Sequence, residues 1–288
     1  MPLMSEFSVD EVIITTMARQ LKGEVLVSSV TAFGSLAAHL AKRLYAPDLA
    51  VLSTPESGMD VTPMPTLTLG QFLTDVQQGI PLTMEDIFDA IFTDHFRIWI
   101  NPSQIDQYGN TNITCIGDWS RPKVALVGAR GIPEDTSHLS ETFYYILNHS
   151  PRSVVQHVDF RSGAGNGESR QHLGPHGAPT TLVTDLGVFD FRGPQGQMTI
   201  KSLHPGVSLE EVQERTGFPI GGGEGDILST PPPTADDIRL IREADPLEVR
   251  KLELMSGPMA AEKFVNIYER ERQTLHATYP RVGKLGRG

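Results

Sequence analysis

Residues 49–60 read LAVLSTPESGMD. Four apolar residues, Leu49 to Leu52, have the length and composition of a buried strand, and Ser53-Thr54-Pro55 ends it ahead of Glu56-Ser57-Gly58. In an open α/β sheet, ligands bind beyond the carboxyl ends of the strands. A carboxylate there, next to a glycine that lets a ligand approach the backbone, is placed for chemistry. Standing alone, the same tripeptide also fits an ordinary loop acid, one among 35 Asp and Glu residues. The neighbouring stretches supply the context.

Upstream, Ser8 with Glu11 has the spacing of a capping box for a helix bearing Val12, Ile13, Met17, Ala18 and Leu21. Residues 24–29 (EVLVSS) read as a strand and 35–45 as a second helix, in which His39 is expected to be structural. This β-α-β order with short connections predicts an α/β fold, an open and mostly parallel sheet flanked by helices. Downstream, Thr83 with Asp86 opens a helix, 96–100 (FRIWI) is a strand, 139–147 (LSETFYYIL) reads as helix and 153–160 as strand. Residues 180–184, 187–191 and 197–203 are short runs between Gly/Pro turns, so a smaller antiparallel portion is expected in the C-terminal half. Ser208 with Glu211 and Thr234 with Asp237 start further helices, and 220–233 has the composition of a linker. From Lys251 an amphipathic helix runs to about Tyr279, with Phe264, Ile267 and Tyr268 on one side, before a basic, Gly-rich end. Two segments follow: an α/β domain over 1–250, and a C-terminal helix with a flexible tail over 251–288.

The totals narrow the function. A formal net charge of −11 opposes a nucleic-acid or anionic-membrane surface, because neither tolerates a field of its own sign. The single cysteine, Cys115, allows no intramolecular disulfide and fits a reducing, cytoplasmic setting. No apolar run reaches 18 residues, so no membrane span is expected.

Several motifs fail on mechanics. Gly163-Ala164-Gly165-Asn166-Gly167 lacks the glycine spacing of a dinucleotide fingerprint and reads as a flexible loop. Gly221 to Gly225 has no following Lys-Ser/Thr and cannot be a phosphate loop of the Walker kind. His172 and His176 are four apart, but Gly174-Pro175 between them forbids the helix that would aim both at one metal, and no metal site is expected. There is no G-x-S-x-G elbow.

The motifs 45–60 (YAPDLAVLSTPESGMD), 104–123 (QIDQYGNTNITCIGDWSRPK), 149–163 (HSPRSVVQHVDFRSG), 180–191 (TTLVTDLGVFDF) and 210–218 (EEVQERTGF) occur in that order. This succession resembles the β subunit of the glutaconate CoA-transferase type, in the family I CoA-transferase superfamily, over roughly residues 8–245. The resemblance implies a CoA thioester as substrate and no permanently bound cofactor. It also implies an obligate α-type partner in a heterodimer or α2β2 heterotetramer. Phe264 and Tyr268 on the terminal helix fit either that contact or packing on their own domain. Carried over, Glu56 is the nucleophile that forms a glutamyl-CoA thioester, with Ser57 and Gly58 beside it. Ser103 and Gln104, before and within the Q-I-D motif, and the turn Gly128-Ala129-Arg130-Gly131 would supply oxyanion and CoA contacts.

Two stretches depart from the transferase pattern. Asn101-Pro102-Ser103 stands where relatives carry a Gly-Gly-Ala turn, and proline removes an N–H. Gly128-Ala129-Arg130-Gly131-Ile132-Pro133 stands where transferases show Gly-Ser-Gly-Gly. That turn, with LGVFDF (186–191) and SLHPGV (202–207), is more similar to the β subunit of steroid-ring CoA hydrolases, which cleave a carbon–carbon bond in a cyclic β-diketone CoA ester. Those relatives lack the E-S-G tripeptide. Transfer through Glu56 is therefore the first expectation and hydrolysis the alternative, while a non-catalytic subunit that only binds CoA ligands and a decarboxylase-like member of the same fold stay open.

Overall fold

The computed structural model describes residues 7–23, 26–29, 31–53, 58–60, 67, 80–83, 85–86, 89, 96–139, 141–222 and 226–278. Two compact units divide the chain: residues 1–23, 28–87 and 234–288 form one, and residues 24–27 and 88–233 the other. The fold is α/β, with mixed parallel and antiparallel strands and flanking helices.

In chain order the first part forms α1 (Val9–Gln20), β1 (Leu26–Ser29), α2 (Ala32–Leu40), β2 (Ala50–Ser53), β3 (Gly58–Met59) and β4 (Ile80–Pro81). Helix α1 starts where Ser8 N–H donates to Glu11 Oε2 at 2.9 Å, and Ile13, Met17, Ala18 and Leu21 are wholly buried along its apolar stripe. The Thr31 hydroxyl caps α2 by accepting from Gly34 N at 3.1 Å. Past Leu40 the helix widens into a π turn over Ala41–Tyr45. His39 is half-buried there, and burial, then the Arg43 charge, holds its pKa below the usual value. Strands β2, β3 and β4 pair antiparallel.

The same unit contains α5 (Ala235–Ala244) and α6 (Gly257–Thr278). Thr234 and Asp237 form the expected reciprocal cap, Thr234 N to Asp237 Oδ2 at 2.8 Å and Asp237 N to Thr234 Oγ1 at 3.2 Å. Asp237 also takes the Arg19 guanidinium at 3.0 Å. Arg250, 1% exposed, donates to Asp10 at 2.7 Å and Asp245 at 2.9 Å, so the two ends of the sequence meet in buried ion pairs. On α6, Ile267 is buried while Phe264 and Tyr268 are exposed.

The second unit holds β5 (Phe96–Ile100), β6 (Gln104–Asp106), β7 (Thr111–Asn112), β8 (Cys115–Ile116), β9 (Val124–Ala125), α3 (Ile132–His138) and β10 (Glu141–Ile146). It continues with β11 (Val154–Val155), β12 (Pro179–Thr184), β13 (Gly187–Asp190), β14 (Thr199–Leu203), α4 (Leu209–Arg215) and β15 (Leu228–Ser229). Strand β10 runs parallel to β5 on one side and to β12 on the other. The chain then doubles back, with β12, β13 and β14 antiparallel as expected. Tyr144, Leu182, Phe189, Ile200 and Val212 of α4 share one core.

Three readings change. Within the segment read as helix over 139–147, Glu141–Ile146 are strand. Thr142 to Ile146 are all buried, and in a run buried on both faces periodicity cannot separate strand from helix; the β-branched and aromatic residues decide it. The strand expected over 153–160 shrinks to Val154–Val155, beyond which the chain bends. The expected linker at 220–233 is partly sheet edge, since β15 pairs parallel with β14 and Thr230 N donates to Leu203 O at 2.8 Å.

Candidate active site

The Q-I-D motif forms a hairpin. Strands β6 and β7 pair with Gln104 opposite Asn112 and Ile105 opposite Thr111. The turn between them is organised by Asp106, whose Oδ1 accepts the amides of Tyr108 at 2.9 Å and Asn110 at 3.0 Å. Asn110 Nδ2 donates to the same carboxylate at 2.9 Å. Burial pushes the Asp106 carboxyl above its usual value, and these hydrogen bonds oppose the shift. Gln104 is buried: its Oε1 accepts from Asn112 Nδ2 at 2.7 Å and from Asp159 N at 3.1 Å. Its amide thus faces the fold as a brace, while Ser103 is exposed and Pro102 buried.

This hairpin carries the glycine turn. Thr114 O accepts from Leu126 N at 2.9 Å and Ile113 O from Gly128 N at 3.1 Å. Gly128 has φ +87° and Arg130 φ +53°. That left-handed region costs a residue with a Cβ about 1–2 kcal/mol, which makes Arg130 an uncommon occupant. Gly131 caps α3, where Ile132 N donates to Ala129 O at 3.1 Å and Asp135 N to Gly131 O at 2.9 Å. Arg130 and Gly131 are exposed and Ala129 half-buried. Asp135 is buried in the first turns of α3, and its carboxyl is pushed up to about 7 by burial, with the Glu134 charge second.

Ser103, Gln104 and the 128–131 turn are thus joined in one unit by backbone hydrogen bonds. Gly58 lies in β3 of the other unit, and Glu56 and Ser57 lie outside the described residues.

Sequence reasoning missed the surroundings of this turn. The segment read as a flexible loop is fixed: Thr111 N donates to Gly163 O at 3.1 Å and Ala164 N to Thr136 Oγ1 at 3.1 Å. A Cβ on Gly163 would stand 2.6 Å from both Ile132 Cγ2 and Thr111 Oγ1, so glycine serves close packing here. Glycines that permit motion and glycines that permit contact look alike in a sequence. Also unforeseen is a cavity of about 450 Å³ beside the hairpin turn, lined by Asp106, Tyr108, His157, Arg161, Glu168 and Gln195 among others. Among the described residues, no group of three or more His, Cys, Asp or Glu is arranged to hold a metal ion. No described helix is long and apolar enough to cross a membrane.

Residues 82–215 match the Coenzyme A transferase family. The chain is 31% identical over 241 residues to the cholesterol ring-cleaving hydrolase IpdB subunit of Mycobacterium tuberculosis, covering 81% of this chain and 92% of that protein. It is also 31% identical over 255 residues to a 3-oxoadipate CoA-transferase subunit of Pseudomonas knackmussii, covering 83% and 94%. Among solved structures, glutaconate coenzyme A-transferase from Acidaminococcus fermentans superposes with a TM-score of 0.76 at 25% identity, covering 88% of this chain and 99% of that one. The chain belongs to the coenzyme A transferase family. Its chemistry is that of CoA esters.

Proposed function

We propose that this chain is the β-type subunit of a CoA-ester hydrolase that cleaves a carbon–carbon bond in a ring-derived β-diketone, working in the cytoplasm with an α-type partner in a heterodimer or α2β2 assembly. The observation that carries this reading is Arg130. It occupies a left-handed position that glycine takes without strain, and strain of this kind persists where the side chain has work to do. In hydrolysis, water adds to one ketone carbonyl and gives a tetrahedral oxyanion. Collapse breaks the carbon–carbon bond, and its electron pair passes into the second carbonyl as an enolate that takes up a proton. Two successive oxyanions suit an exposed guanidinium on a rigid turn. The similarity to the ring-cleaving IpdB subunit supports the same assignment. Glu56 then acts at most as a general base.

The E-S-G tripeptide and the similarity to two CoA-transferases favour a second reading, transfer through a glutamyl-CoA thioester on Glu56, with Ser57 and Gly58 beside it and donors from Ser103, Gln104 and the 128–131 turn. In either case the catalytic domain spans 1–250, and 251–288 is an added helix and tail. The test uses the chain assembled with an α-type partner subunit. Hydrolysis predicts turnover of a cyclic β-diketone CoA ester with no free acid present, incorporation of one 18O from labelled water, and no CoA adduct on the peptide containing Glu56. CoA transfer to a free acid, with borohydride-reducible adduct at Glu56, would overturn it.

A further inference from the structure

We propose that Arg170 is a positioning residue for Arg130, acting through helix α3; this rests on the reading that Arg130 works at the substrate. The guanidinium of Arg170 makes four hydrogen bonds, all to backbone carbonyls. Nε donates to Gly165 O at 3.1 Å, Nη2 to Ala164 O at 2.8 Å and to Gly177 O at 3.2 Å, and Nη1 to His176 O. One planar fork thereby ties the two arms of one loop, 163–167 and 174–177, into a single collar.

Both arms of the collar pack on α3 at Thr136. Gly163 packs against Ile132 and Thr136, and Ala164 N donates to Thr136 Oγ1 at 3.1 Å. A Cβ on Gly177 would stand 2.3 Å from the Thr136 carbonyl carbon, and Gly177 N donates to Leu139 O at the helix end. A seven-residue helix has almost no stability of its own, because nucleation is unfavourable and few backbone hydrogen bonds offset it. Its position is therefore set by what surrounds it. The Gly128–Gly131 turn is the start of that helix, so a collar that holds α3 in place also holds the strained Arg130 backbone. Lysine keeps the charge of Arg170 but offers three donors from one point and cannot reach four carbonyls in both arms.

The assembled enzyme is tested as Arg170→Lys, Arg130→Ala, the double variant, and Thr136→Val, which removes the Ala164 acceptor together with the hydroxyl's own bond to Ile132 O at 2.9 Å. The readouts are kcat/KM and amide exchange of the 131–139 peptide. Arg170→Lys is expected to lower kcat/KM about tenfold or more and to speed exchange in α3 while the β10–β12–β13 peptides keep their protection. Thr136→Val should move both readouts in the same direction by less. Combined with Arg130→Ala, the lysine variant should add less than twofold, because both changes remove the same contribution. Full turnover in Arg130→Ala would refute the role of Arg130 itself. Loss in Arg130→Ala, with independent multiplication of the two losses or with unchanged α3 exchange in Arg170→Lys, would refute the positioning role alone. If Arg170→Lys does not fold, wild-type turnover and exchange in Thr136→Val would refute it equally.

Discussion

Replacing Arg130 by glycine separates two contributions that an alanine substitution leaves mixed. Arg130 has φ +53°, a conformation costing an L-residue about 1–2 kcal/mol. Glycine removes that strain and gives back about 0.5–1 kcal/mol through the greater freedom of the unfolded chain. The balance is a folded state more stable by about 0–1.5 kcal/mol. With an unfolding entropy near 2.1 cal/mol/K per residue, that raises Tm by about 0–2.5 °C, and by more if the unit carrying the turn melts separately. Alanine keeps the strain, so Arg130→Ala should leave Tm nearly unchanged. Activity should move the other way in both variants. Charge-assisted hydrogen bonds to a developing oxyanion contribute about 1.5–3 kcal/mol, so kcat/KM should fall about 10- to 100-fold. The measurements are calorimetry of each variant and initial rates of the assembled enzyme. Arg130→Gly with higher Tm and undiminished kcat/KM would show that the strained arginine does nothing for the reaction.

Two further outcomes concern the fold. Arg250→Met leaves Asp10 and Asp245 as buried carboxylates without their counter-charge and should destabilise the unit that holds them by about 3–5 kcal/mol, part of it recovered by adding Asp245→Asn; a urea midpoint within error of wild type would contradict this. His149 and His204 are buried and held neutral, with pKa values lowered by burial to about 3 and about 4. A folded-state value below the unfolded value of 6.5 means that the unfolded chain takes up the proton first. Their contribution is therefore present above pH 6.5 and lost as pH falls, by about 2 kcal/mol each between pH 7.5 and 5. His149→Gln should flatten the fall of the urea midpoint over that range, and an identical pH profile would refute the assignment.

What the sequence discloses is what is decided locally. The Ser8–Glu11 and Thr234–Asp237 caps are legible because a cap joins side chain and backbone only three residues apart. The antiparallel run β12–β13–β14 is legible because its turns are short and carry Gly or Pro. Strand β10 is not, since Thr142 to Ile146 are buried by neighbours up to about forty residues away and bear no polar face to set a period. The same limit applies at the site. The 128–131 turn can be found from its glycines, and the family motif points to Gln104. The inward direction of the Gln104 amide depends on Asn112 and Asp159, and the hold on α3 depends on Arg170 reaching both arms of its loop. The Arg170 bonds span only five to seven residues, but Asp159 lies 55 residues from Gln104 and Ala164 lies 28 from Thr136, and separations of that length leave no local pattern.

The pairing of Asp10 and Glu11 with Arg250 and Arg242 has a consequence for how the chain is made. Ribosomes add about 5–20 residues per second, so Asp10 waits roughly 10–50 s before Arg250 emerges. Residues 88–233, by contrast, form most of a unit from one continuous length and can assemble as they appear. During that interval α1 carries two acids whose counter-charges do not yet exist, on a face meant for burial. Residues 234–288 thus complete the surroundings of α1 long after α1 itself is made. A ribosome stalled before residue 234 leaves Asp10 and Glu11 of α1 without Arg250 and Arg242.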